Sequence, residues 1–437
     1  MRGAEEGSQG ETQETVPRNR GVVVSWKVQA AGLFEARRLA CFCPQMPLAH
    51  SMMISPRLAL GVLSVCSPLS FTGMAEAQSG FGGQEVISTA ALAANSVYAT
   101  DLDGDGDADV LSASHVDDKI AWHENLGGGT FGPQQVITTA ADGATSVYAT
   151  DLDGDGDADV LSASAIDNKI AWYENLGGGV FGAQQVIMIV SGARSVYASD
   201  LDGDGDADVL AAWGGVISWY ENLDSGSFGA QQVISATAGG AQSVYAIDLD
   251  GDGDVDALSA SEHGGGIIAW YENTGSGSFG QQQVISSNAQ GARSVYATDL
   301  DGDGDADVLS ASWNDNKIAW YENLGDGTFG TQEVITTAAD FASSVYATDL
   351  DGDGDADVLS ASDNPNKIAW YENLGGGAFG AQQVITTIAW GARSVYATDL
   401  DGDGDADVLS ASISEDKIAW YENQIPPGPI LFCNPAN

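Results

Sequence analysis

Seven stretches of the chain carry a carboxylate at every second position. The first reads Asp101-Leu102-Asp103-Gly104-Asp105-Gly106-Asp107-Ala108-Asp109, and Val255 replaces the alanine in the fourth copy. Five carboxylates in nine residues repel one another in an empty loop. A hard cation with oxygen ligands removes that penalty, and Ca²⁺ accepts about six to eight of them, whereas Mg²⁺ keeps waters and takes fewer carboxylates. The expected side-chain donors stand at position 1 (Asp101, Asp151, Asp200, Asp248, Asp299, Asp349, Asp399), position 3 (Asp103, Asp153, Asp202, Asp250, Asp301, Asp351, Asp401), position 5 (Asp105, Asp155, Asp204, Asp252, Asp303, Asp353, Asp403) and position 9 (Asp109, Asp159, Asp208, Asp256, Asp307, Asp357, Asp407). Position 7 (Asp107, Asp157, Asp206, Asp254, Asp305, Asp355, Asp405) would offer its backbone carbonyl. Up to seven Ca²⁺ ions are implied. A helix–loop–helix calcium site would need Glu at position 12, which here holds Ser112, Ser162, Ala211, Ser259, Ser310, Ser360 and Ser410. The bland alternative is a solvated Asp-Gly hairpin turn. That suits one copy better than seven.

The copies are spaced by 50, 49, 48, 51, 50 and 50 residues, a period that marks a repeat architecture. Each unit offers four short strand-like segments: SVYATD before the acidic stretch, DVLSAS after it, KIAWYEN, and QQVIT following Phe-Gly. They are rich in Val, Ile, Tyr and Trp, bounded by Gly, Asp, Asn or Ser, and lack helical periodicity. Four antiparallel strands make one propeller blade. The repeat region opens at residues 81–88 with a lone fourth-type strand and closes at 417–423 without one. Joining the two ends leaves no open sheet edge. The expected fold is therefore all-β: a closed seven-bladed β-propeller of four-stranded antiparallel blades over residues 78–423, its N-terminal strand completing the last blade. One Trp per third strand (Trp122, Trp172, Trp219, Trp270, Trp320, Trp370, Trp420) is read as packing between blades rather than as a ligand platform.

The 437 residues hold 15 Lys+Arg against 62 Asp+Glu, a net charge of -47. Nucleic acid and anionic membranes, which need clustered cations, are excluded as partners. Seven of the 15 basic residues precede residue 78, as do three of the four cysteines, so no disulfide framework staples the repeats. Residues 52–77 combine Arg57, an apolar run and a closing Ala-Glu-Ala, the pattern of a secretory signal peptide. The run is too short and Pro-interrupted for a membrane span. Export of a monomer to the cell surface or beyond is expected. Residues 1–51 remain an unassigned extension, and 424–437 form a C-terminal tail.

The acidic loops, the Phe-Gly of the fourth strand and the turn from Asn323 to Gly330 resemble FG-GAP/VCBS-type repeats. Such repeats build the seven-bladed head of integrin α-subunits and many secreted microbial proteins. The resemblance covers about residues 81–423 and implies calcium binding and extracellular recognition or adhesion. Gly-Ala-Pro is not matched; Gly192-Ala193-Arg194, Gly291-Ala292-Arg293 and Gly391-Ala392-Arg393 are nearest. Some relatives belong to sugar-cleaving lyases, so a polysaccharide lyase or carbohydrate-binding propeller is a second reading, and a purely structural module a third.

Alternate connections between antiparallel strands fall on opposite faces. The acidic loops and Gly-rich turns share one face and hardly vary among copies; the other two connections share the second face and do vary. That second face carries Trp213, Trp313, Trp390, Arg194, Arg293 and Arg393. Exposed Trp and Arg dominate recognition sites, so a glycan or protein ligand is expected there, with an acidic one favoured. Acid–base or nucleophilic chemistry needs a non-repeated cluster of groups. The repeats hold only His115, His123 and His263, the last across the ring from the first two, and no catalytic motif.

Overall fold

The computed structural model describes residues 80–426. The expected leader (52–77), the extension (1–51) and all but the first three residues of the tail lie outside them. Seven four-stranded antiparallel sheets follow in chain order. In the first blade the strands are Ala94–Thr100, Asp109–Ser114, Lys119–His123 and Gln135–Thr138, running from the axis outward. The only helical element among the described residues is a 3₁₀ turn at His263–Gly265.

The last blade takes Ala392–Thr398, Asp407–Ser412 and Lys417–Tyr421 from the C-terminal end and Glu85–Ser88 from the N-terminal end. Glu85 stands opposite Trp420, and Phe81 opposite Asn423. The ring closes as the strand count requires. Closure repeats the chemistry of every other blade junction: Val97 N–H donates to Ser394 Oγ at 3.4 Å, as Val147 N–H donates to Ser96 Oγ at 3.3 Å.

The second strands are buried along their whole length, save Trp213 at the end of blade three's, because both sheet faces are covered by neighbouring blades. The third-strand tryptophans are 2–5% exposed. Each meets, edge to face, the Phe of the next blade's Phe-Gly: Trp122 with Phe181 at 6.4 Å, and Phe131 of blade one with Trp420 of blade seven at 6.4 Å. This geometry also fixes a glycine. Gly179 has φ +69°, and a Cβ there would collide with the Trp122 ring.

Two polar features lock the blades. Every acidic loop ends in a fully buried Asp whose two oxygens cap backbone donors: Asp109 accepts from Leu102 N at 2.8 Å and Asn125 N at 2.7 Å. The Asn125 side chain donates to Ala108 O of its own loop and to Leu400 O of the preceding blade. Equivalent bridges recur at all seven junctions.

Candidate metal centres and ligand-binding face

The acidic loops leave the first strand and return as the second. Gly104 and Gly106 sit at φ +82° and +97°, which only glycine adopts freely, and this curls the loop so that its carboxylates turn inward. Asp101 Oδ1 accepts Gly104 N at 2.7 Å and its Oδ2 accepts Gly106 N at 2.9 Å, while Asp103 and Asp105 cap the amides two residues on. One carboxylate oxygen from each of Asp101, Asp103 and Asp109 lies within 4.8 Å of the others. The same holds for Asp151, Asp153 and Asp159, for Asp200, Asp202 and Asp208, for Asp248, Asp250 and Asp256, and for Asp299, Asp301 and Asp303, with two further groups. These clusters could hold a metal ion.

Their electrostatics fit that use. Burial pushes Asp109 up to about 7 even though two backbone N–H groups favour its charged form, and its six equivalents behave alike. Partial burial and then the Asp105 charge raise Asp103. Three like charges gathered around one point are relieved by a cation. Position 9 thus has a role that spacing did not reveal: its carboxylate faces the cluster and also pins the loop to Asn125. Gly127 lies against Asp107 and Gly129 against Asp401, which puts Gly-rich turns and acidic loops on one face.

The opposite face is organised by a backbone irregularity. In every blade the pairing of first and second strands slips between residues such as Ala94 and Ser96. The extra residue is Asn95, Thr145, Arg194, Gln242, Arg293, Ser343 or Arg393. A β-bulge re-aims its side chain. Here it turns all seven toward the axis, where together with His115 and Ile413 they line one cavity of about 280 Å³. Further along the same strands, Tyr98, Tyr148, Tyr197, Tyr245, Tyr296, Tyr346 and Tyr396 form a closed ring with centroids 4.7–4.9 Å apart. That ring stands between the cavity and the acidic loops.

The expected ligand residues separate here. Arg194, Arg293 and Arg393 come together in the cavity. Trp313, outside the cavity lining, packs against two of them, with the Arg293 and Arg393 guanidinium carbons 5.0 and 4.7 Å from its ring centroid and Phe341 tilted against it at 5.2 Å. Trp213 instead leans on the core between blades two and three and donates its indole N–H to Ser218 Oγ at 3.1 Å. Trp390 is 51% exposed in the connection before blade seven. Among the described residues no ring contact links the three tryptophans.

Residues 101–162, 151–211, 200–259, 248–310, 299–360 and 349–410 each match the FG-GAP-like repeat. The chain belongs to that family. The fold of this FG-GAP-like repeat protein resembles the BP39L lectin from Burkholderia pseudomallei, with a TM-score of 0.59 and 19% identity over 78% of this chain and 99% of the lectin. It also resembles BBS1N, solved in complex with ARL6DN, with a TM-score of 0.56 and 12% identity over 79% and 98% of the two chains. A third likeness is to an Agrocybe aegerita lectin that recognises non-reducing terminal N-acetylglucosamine, with a TM-score of 0.53 and 20% identity over 75% and 85%. At such identities these likenesses speak for the fold. No curated protein sequence matches the chain. No helix among the described residues is long and apolar enough to cross a membrane.

Proposed function

We propose that this FG-GAP-like repeat protein is a secreted, calcium-stabilised recognition propeller that binds carbohydrate at the axial cavity on the face opposite its acidic loops. One observation carries the reading. The first strands read alike in all seven blades except at the bulged residue and the last one, and the bulged residues are what surround the cavity. Loop drift would scatter differences over both faces. Asn, Thr, Arg, Gln and Ser around one opening are the donors and acceptors that hydroxyl-rich ligands require. The two lectins of like fold support a sugar as ligand. The acidic loops serve the scaffold: calcium would be held by the carboxylates at positions 1, 3, 5 and 9, and it would supply charge neutralisation where Asp109 and its equivalents are buried.

A glycan array probed with the calcium-loaded protein tests this. The expected result is binding to a restricted set of glycans that disappears when the six bulged positions other than Ser343 are made serine, with the melting temperature in calcium preserved. Binding that survives that replacement would place recognition elsewhere.

A further inference from the structure

Resting on that reading, we propose that the axial cavity selects a carboxylated terminal sugar, with Arg194 as the group that pairs its carboxylate. The three arginines of the cavity are not equivalent. Arg293 is paired with Glu262 at 3.4 Å and Arg393 with Asp363 at 3.7 Å, so their charges are offset by neighbours. Arg194 is exposed and, among the described residues, takes part in no ion pair. It therefore leaves one uncompensated positive charge at the axis of a chain whose net charge is -47. Anions are repelled from the acidic face and drawn to this point, since a concave site of one sign focuses the field.

The paired arginines still have something to offer. Trp313 holds both guanidinium groups in place, and the two side chains stay 32% and 25% exposed. Donors fixed in advance favour an acceptor-rich ligand, because little further ordering is needed on binding. Gln242 receives Arg293 Nη1 at 3.5 Å through its carbonyl, which leaves its amide N–H groups for the ligand. The volume of about 280 Å³ falls just under the range of roughly 300–1,000 Å³ typical of drug-sized ligands. One ring at the end of a chain fits that size better than an internal stretch of polymer. The polar lining, with Ile413 as its one aliphatic member, suits a hydroxylated ring rather than the apolar side chain that a peptide C-terminus would bring.

The test is titration calorimetry of the calcium-loaded chain with glucuronate, galacturonate and N-acetylneuraminate, each beside its carboxyl-reduced alcohol. At least one acid should bind about tenfold or more tightly than its alcohol, as expected when a charge-assisted pair is present in only one of them. Arg194→Gln should abolish that difference, Arg194→Lys should keep part of it, and both variants should melt as the parent does in calcium. Equal affinity for acid and alcohol would overturn the acidic-sugar assignment while leaving sugar recognition intact. Failure of every sugar, whether or not an acetylated peptide with a free C-terminal carboxylate binds, would overturn the assignment and the carbohydrate reading together.

Discussion

Asn125 donates its backbone N–H to Asp109 Oδ1 at 2.7 Å, and its side chain reaches Leu400 O of the neighbouring blade at 2.8 Å. Through this pair the acidic loop of blade one, its Gly-rich turn and blade seven become one hydrogen-bonded unit. Blade seven is also the blade that the N-terminal strand completes, with Glu85 opposite Trp420.

Replacing Asn125 by alanine leaves Leu400 O and Ala108 O without that buried donor, each unmet group costing about 1–3 kcal/mol. The variant should unfold at lower urea concentration than the parent in calcium, with an unchanged slope. An equal midpoint would mean that the bridge is dispensable at this junction.

The N-terminal strand gives a second prediction. Residues 81–88 supply Phe81 against the Trp370 ring at 6.2 Å and the outer strand of blade seven. Deleting them exposes a sheet edge. Aggregation or a much lower melting temperature is expected, and a monomer as stable as the parent would contradict closure by this strand.

Blade one departs from the others after its Trp. His123 occupies the place of Tyr173, Tyr220, Tyr271, Tyr321, Tyr371 and Tyr421. At Tyr173, Tyr321, Tyr371 and Tyr421 the phenol bridges Ser and Gln: Gln184 Nε2 donates to Tyr173 OH at 2.8 Å, and Ser162 Oγ lies 3.3 Å from it. In blade one, His123 Nε2 and Gln134 Nε2 are both buried without partners. His123→Tyr should therefore stabilise by about 1 kcal/mol, the net worth of a hydrogen bond. Burial also lowers the His123 pKa, so the folded state disfavours its proton. Stability from neutral His123 is complete above the unfolded value near 6.5 and is lost as pH falls below it. The gain from tyrosine should grow on acidification. A gain independent of pH would remove His123 as the cause.

The buried aspartates act in the opposite sense when cation is withheld. Asp109 and its equivalents are held at about 7, above the ordinary value of 3.8. In chelator the native state then binds more protons than the unfolded state between about pH 4 and 7, so stability should fall as pH rises through that window. Calcium favours the ionised form and should cancel or reverse the trend. Melting curves at pH 5 and 7.5 check this. A chelated protein that gains stability across the window would contradict the assignment.

Much of this was legible from the repeat. Strands such as DVLSAS and KIAWY, the acidic loops and the unmatched strand at 81–88 announce blades and their closure, because one unit repeated seven times averages away local ambiguity. The tryptophans of the third strands read correctly as packing groups. The position 9 carboxylate was legible as a member of an acidic cluster that could hold a cation, but not as the cap of Asn125, since that partner stands 16 residues away across a hairpin. The bulge at Asn95, Thr145 and their equivalents was also hidden, because strand pairing slips without any change in composition. A signal did exist: one variable residue inside an otherwise repeated strand. Trp213 shows the converse limit. Its position before a variable loop suggested a ligand contact, yet Ser218 and the blade core receive its ring.

The measurement that bears most directly on the account is thermal unfolding of the purified chain in millimolar calcium and in excess chelator. Extracellular modules bind calcium at about 10⁻⁴–10⁻³ M. At ten times the dissociation constant each site adds about 1.4 kcal/mol, so seven independent sites would add about 10 kcal/mol. The account predicts a large fall in melting temperature on chelation, restored by calcium and accompanied by loss and return of glycan binding. An unchanged melting temperature in chelator would contradict it.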